Sequence, residues 1–151
     1  MELALAEAHK AYDLREVPIG AVIVLSDRVI GRGHNLRESS GDPTAHAEML
    51  AIQQAARNLG TWRLDNTVMY VTVEPCPMCA GALVLARVRQ LVFGAPDPKA
   101  GACGSLMNIV EDQRLNHRLG VVSGVMAEAC AALLQRFFQE IRKDPEGCRR
   151  G

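Results

Sequence analysis

Aromatic residues are scarce in this 151-residue chain, which has one Trp, two Tyr and three Phe. Its core is therefore expected to be built from Ala, Val, Leu, Ile and Met. Apolar residues make up 48% of the sequence, enough for one compact domain over residues 1–151. No apolar run reaches the roughly 18 residues that a membrane-spanning helix needs, so no membrane association is expected. The opening Met1-Glu2-Leu3-Ala4-Leu5-Ala6-Glu7 lacks the basic start and long apolar stretch of a secretion signal. An excess of either charge is also missing, with 17 Lys and Arg against 17 Asp and Glu. Such a balance neither requires nor excludes a nucleic-acid partner, because local patches matter more than the total. Internal repeats, low-complexity tracts and linkers are absent. So is an even set of cysteines: there are five, two of them close-spaced as Cys76-x-x-Cys79. That usage suits a reducing cytoplasm, and a metal or redox site rather than a disulfide framework.

The pattern that is present alternates strand and helix signals. Residues 2–15 read as a helix ending before Pro18. Ile19–Leu25 and Arg28–Gly31, joined by Ser26-Asp27, read as an antiparallel hairpin. A polar loop follows over Gly33–Thr44, and Thr44 is placed to cap a helix reaching Leu59, with Gly60 just past its end. Thr67–Val73 reads as a strand, Cys76–Arg89 as a helix and Gln90–Phe93 as a short strand. A Gly/Pro-rich loop over Gly94–Gly104, a strand over Val121–Val125 and a helix over Met126–Arg142 complete the chain. A hairpin followed by this alternation predicts an α/β sandwich around one mixed sheet.

Three residues carry metal-ligand chemistry: His46, Cys76 and Cys79. Each sits in the first turn of a predicted helix, where side chains lean toward the helix N-terminus and free N–H groups favour thiolates. Catalytic zinc takes three protein ligands and leaves its fourth position to water. Glu48, two residues after His46, can reach the same space ahead of the helix without ligating the metal. Zinc lowers the pKa of its water toward about 7, so Glu48 is placed as the general base. His-Ala-Glu alone is a weak signal and Cys-x-x-Cys a moderate one. Their combination, opening two helices on either side of a strand, is strong. A redox pair wants a thioredoxin-like context, which is missing. A structural zinc site wants a fourth ligand, and Cys103, Cys130, Cys148, His9, His34 and His117 form no paired motif that supplies one.

The order His-x-Glu then Pro-Cys-x-x-Cys resembles the zinc deaminase signature. Longer stretches resemble the bacterial tRNA-specific adenosine deaminases of the cytidine deaminase superfamily, nearly end to end. They include Glu16-Val17-Pro18-Ile19-Gly20-Ala21-Val22, His34-Asn35, Asp42 to Glu48 and Glu74 to Ala82. They continue through Phe93-Gly94-Ala95, Asp97-Pro98-Lys99, Gly104-Ser105-Leu106-Met107, Asn116-His117-Arg118 and Phe137-Phe138. The resemblance implies a three-layer α/β/α sandwich with a central mixed five-stranded sheet of the cytidine deaminase type. It also implies a homodimer with one zinc ion per subunit. The implied activity is hydrolytic deamination of adenosine to inosine at the wobble position of a tRNA anticodon, with Glu48 shuttling protons. By position, Asn35 would bond the flipped nucleotide, the Ala47 backbone would face its base and Val17 would wall its pocket. Asp97, Lys99 and Ser105 would lie along the loop that meets the anticodon stem-loop, and Phe138, beside Phe137, would flank it. Arg142, Lys143, Arg149 and Arg150 read either as phosphate contacts or as a solvated tail. Two departures stand out. Pro77 replaces a small aliphatic residue, which a helix's first turn tolerates, and Pro96 stiffens the loop before Asp97. Two readings of other kinds stay open: a deaminase of free bases such as guanine or cytosine, and a non-catalytic RNA-binding module stapled by structural zinc.

Overall fold

The computed structural model describes residues 1–143, so Cys148, Arg149 and Arg150 lie outside the described residues. Ten elements follow in order: α1 (Glu2–Asp13), β1 (Gly20–Leu25), β2 (Arg28–His34), α2 (Arg37–Ser40), α3 (Ala47–Leu59), β3 (Val68–Val73), α4 (Pro77–Leu85), β4 (Gln90–Ala95), β5 (Gly120–Val122) and α5 (Ala127–Lys143). The five strands form one sheet in the order β2-β1-β3-β4-β5. β1 runs antiparallel to β2 and β3, while β3, β4 and β5 are parallel, so the sheet is mixed as expected.

The period-2 alternation of the strands sorts the core into two layers. Ala21, Ile23, Met69, Val71, Leu91 and Phe93 face α3 and α4, where Ala47, Ala51, Ala55, Ala80 and Leu83 cover them. The intervening Val22, Thr72 and Val92 are buried on the opposite face, which α1 and α5 cover through Ala4, Ala8, Cys130 and Phe137. Tyr12 and Phe137, with ring centroids 5.7 Å apart, join α1 to α5. The result is the α/β/α sandwich. Helix α3 lies unusually close to β2: a Cβ built on Gly33 would come 2.1 Å from the Ala47 carbonyl oxygen, and one on Gly31 would come 2.3 Å from that of Ala51. Small residues on both elements thus bring main chain against main chain and set the height of α3 above the sheet.

Several boundaries differ from the sequence reading. The cap of α3 is His46 in extended backbone, not Thr44. Thr44 is instead closed into a local turn, its N–H and hydroxyl both donating to Asp42 Oδ1. The polar loop contains a single helical turn, α2, that no periodicity announces. β2 runs on to His34 and β4 to Ala95, while β5 is confined to Gly120–Val122. α1 stops at Asp13 and α4 at Leu85, each earlier than expected. Both end in a Schellman motif with Arg in the left-handed position, Arg15 at φ 60° and Arg87 at φ 64°. Beyond them Glu16 N–H bonds Ala11 O, and Val88 N–H bonds Leu83 O. α3 ends in the same way on Gly60 at φ 68°, where glycine did announce the stop.

Candidate active site

The site lies where β3 and β4, two neighbouring parallel strands, release the chain at their carboxyl ends, the usual ligand position in such sheets. β3 leads through Glu74-Pro75 into α4, whose N-cap is Cys76 and whose first residue is Pro77. Pro77 falls where its missing N–H costs no hydrogen bond. His46, the N-cap of α3, approaches from the neighbouring helix. His46 Nδ1 stands 3.6 Å from both Cys76 Sγ and Cys79 Sγ. These three ligand atoms lie within 4.8 Å of one another, and they are the group among the described residues that could hold a metal ion. Cys79 is buried, whereas His46 and Cys76 are half-buried and open onto a cleft.

The electrostatics of the thiol pair favour a bound cation. The Cys76 thiol is held down to about 5, first by a hydrogen bond from the Cys79 thiol, helped by the Cys79 and Met78 N–H groups and His46. Cys79 is pushed strongly up by the same bond and by burial, so one proton is shared where a metal would take its place. Glu48 is buried beside them, and burial pushes its carboxyl up to about 7.

That shift makes a pH-dependent prediction for the metal-free protein. The folded carboxyl binds its proton up to about pH 7, against 4.5 ordinarily, so Glu48 lowers stability as pH rises through this window. The penalty above pH 7 is about 3 kcal/mol. Chelator-treated Glu48→Gln, which carries no charge, should melt about 5 °C or more above chelator-treated wild type at pH 8, with the gap closing near pH 4.5. Scanning calorimetry that finds equal melting temperatures at pH 8 would contradict this assignment.

The cleft, of about 210 Å³, is lined by Glu16, Val17, Asn35, His46, Glu48, Glu74, Cys76, Asp97 and Ala100, among others. Val17, Asn35 and Asp97 therefore face the same space as the metal group. Asn35 is buried, and its Oδ1 accepts the Ala47 N–H at 2.9 Å. It thereby satisfies a donor at the start of α3 and leaves its own NH₂ as the remaining donor. The Ala47 N–H is thus already engaged within the protein. Lys99 and Phe138 do not line the cleft. They form an adjoining groove of about 380 Å³ with Leu134, Gln135, Ile141 and Arg142. Phe138 is half-exposed, while Phe137 is buried. Ser105 lies in neither hollow. Its N–H and hydroxyl both donate to the carboxylate of Glu74.

Two buried carboxylates at the cleft are given no role by the sequence reading. Glu16 accepts the N–H and hydroxyl of Ser39, anchoring α2 at the rim of the cleft. Glu74 accepts bonds from the loop after β4. Their only local signals are that each stands in the quoted motif stretches, directly before Val17-Pro18 and Pro75-Cys76.

A half-open His/Cys/Cys group able to hold a metal ion, with a buried Glu beside it on an α/β/α sandwich, fits the deaminase class. The family described as MafB19-like deaminase matches residues 1–142. The tRNA-specific adenosine deaminase of Bacillus subtilis is 53% identical over 150 residues, covering 99% of this chain and 93% of that one. The chain belongs to the tRNA-specific adenosine deaminase family. Among solved structures, one from a study of A-to-I editing by tRNA:A34 deaminases at the wobble position superimposes with a TM-score of 0.85 at 46% identity, covering 88% of this chain and 96% of that one. A guanine deaminase from Bacillus subtilis superimposes with a TM-score of 0.62 at 30% identity, covering 94% and 90%.

Proposed function

We propose that the chain hydrolyses adenosine to inosine at the wobble position of a tRNA anticodon, within a single domain that acts as a cytoplasmic homodimer holding one zinc ion per subunit. The observation that carries the chemistry is the three-ligand group opening onto a cleft beside Glu48. Tetrahedral zinc with bonds of about 2.3 Å to sulfur and 2.0 Å to nitrogen would hold those atoms about 3.6 Å apart. The two Sγ–Nδ1 separations have that value. Zinc bound there supplies Lewis-acid activation of water at neutral pH.

The protein's own residues do the rest. Glu48, desolvated and close to neutral in pKa, takes a proton from the attacking water and returns it to N1 of adenine as C6 is attacked. A second proton leaves with the amino group as ammonia, so water and adenosine give inosine and ammonia. Val17 walls the base, and the Asn35 NH₂ donates to it. Asp97 lines the cleft, and Lys99, Phe138 and Arg142, which line one groove, offer an aromatic ring and two cations to neighbouring nucleotides of a splayed loop. No helix among the described residues is long and apolar enough to cross a membrane. Exposed Trp62, just past α3, and Leu85, the last residue of α4, lie near ends that Leu64 N–H to Ala86 O ties together, and give two copies an apolar face to share.

The test offers the purified protein an anticodon stem-loop with adenosine at the wobble position and, separately, free guanine, cytosine and adenine. Inosine in the stem-loop, from a preparation whose light-scattering mass is that of two chains, is the expected result. Turnover confined to a free base would move the substrate assignment to that base.

A further inference from the structure

We infer that Glu74 is a positioning residue: its carboxylate holds the loop over residues 96–105 in the shape that receives RNA. The inference rests on the function proposed above.

Four hydrogen bonds converge on this one side chain. Oε1 accepts the N–H groups of Cys103 and Ser105, each at 3.0 Å. Oε2 accepts the Asp97 N–H at 2.9 Å and the Ser105 hydroxyl. All four partners donate, so only a group that accepts at both oxygens fits. The bonds hold its carboxyl below the usual carboxylate range although burial pushes the other way. Both ends of the loop are gripped at once, Asp97 on one side and Cys103 with Ser105 on the other. Between them the loop closes on itself through Gly101 N–H to Asp97 O at 2.8 Å. A Cβ on Gly101 would come 2.4 Å from the Glu74 carboxylate, so loop and carboxylate are in direct contact. Ala102 N–H also bonds Pro75 O at 2.9 Å, next to the ligand Cys76.

This clamp determines where the loop's side chains point. Asp97 and Ala100 line the metal cleft, and Lys99 lines the groove with Phe138 and Arg142. Asp97 is turned by its own bonds, its Oδ1 accepting the N–H groups of Lys99 and Ala100. Glu74 touches none of the metal ligands' side chains by hydrogen bond. Its loss is expected to act on RNA binding and to leave the metal in place.

The experiment compares Glu74→Gln with wild type, both loaded with zinc, on the wobble-adenosine stem-loop. Gln replaces one acceptor oxygen by a donor facing donors, so the loop is released. The expected result is a KM raised by about tenfold or more with kcat changed by less than about threefold, and zinc still at one per chain. In a Glu48→Ala background, where the RNA is bound without turnover, Kd for the stem-loop should rise by the same factor. Glu74→Asp, which keeps the charge on a shorter arm, should recover part of the loss. Ser105→Ala removes one bond of the four and carries the test if Glu74→Gln does not fold; a KM raised about threefold is then expected. Unchanged KM and Kd in these variants would overturn the inference, as would a fall in kcat and zinc content with KM unmoved. If wild type itself fails to deaminate the stem-loop, the proposed function fails instead, and the two failures are told apart by that control.

Discussion

Glu48→Ala should retain its fold and its zinc while losing adenosine-to-inosine conversion by about 10²–10⁴-fold or more, the range general acid–base catalysis contributes. The size of the loss separates two roles for this residue. A glutamate in the first turn of a helix also stabilises the helix electrostatically, by about 0.3–1 kcal/mol. Removing that contribution would lower stability slightly and leave turnover within a few-fold. Its burial argues for the larger effect, because a carboxylate kept from water for helix stability alone costs more than the dipole returns. Single-turnover assays with metal analysis on the same sample provide the check. Near-normal activity in Glu48→Ala would remove it from the proton path.

Removing the metal should be as severe but reversible. Chelator-treated wild type should fall to background turnover and regain activity when zinc is added. Cys76→Ala should fall as far and not recover, with metal content reduced at least about tenfold, since loss even of a ligand's supporting partner costs 10–100-fold in affinity. Circular dichroism should remain that of the folded chain in both cases. The reason lies in the placement of the ligands. They occupy the first turns of α3 and α4, while the helix bodies pack through Ala47, Ala51, Ala55, Ala80 and Leu83 against the sheet. Unfolding on chelation would instead mark the ion as a structural staple, and unaffected turnover would rule out metal-dependent chemistry.

The metal group was legible in the sequence because its chemistry is written locally. Cys76-x-x-Cys79 and His46-x-Glu48 each span a single helical turn, and their residue types have few other uses in that arrangement. The strands were legible through β-branched runs, although their ends were misjudged by several residues. What was hidden depends on partners far away in the chain. Glu74 reads as an ordinary charged residue until Asp97, Cys103 and Ser105 turn their N–H groups toward it. Asn35 stands in a quoted motif, but nothing local shows that its oxygen accepts the N–H of Ala47, twelve positions on. The ends of α1 and α4 fall short of the residues 15 and 89 that the sequence suggests, because the left-handed positions at Arg15 and Arg87 carry no glycine to mark them. Thr44 is a cap residue by type, yet its hydroxyl is engaged by Asp42.

The contact of α3 with β2 behaves as a hard stop. At Gly31 and Gly33 the strand has already shed every side-chain atom, and Ala47 and Ala51 meet them through their carbonyl oxygens. A Cβ added at Gly31 or Gly33 would meet this main chain at 2.3 Å or less and wedge the two elements apart. His46 and Glu48 ride on the end of α3, so a larger residue at Gly33 would shift them relative to Cys76 and Cys79. Second-site revertants of a change at Gly33 should accordingly map to the positions that face it across the contact.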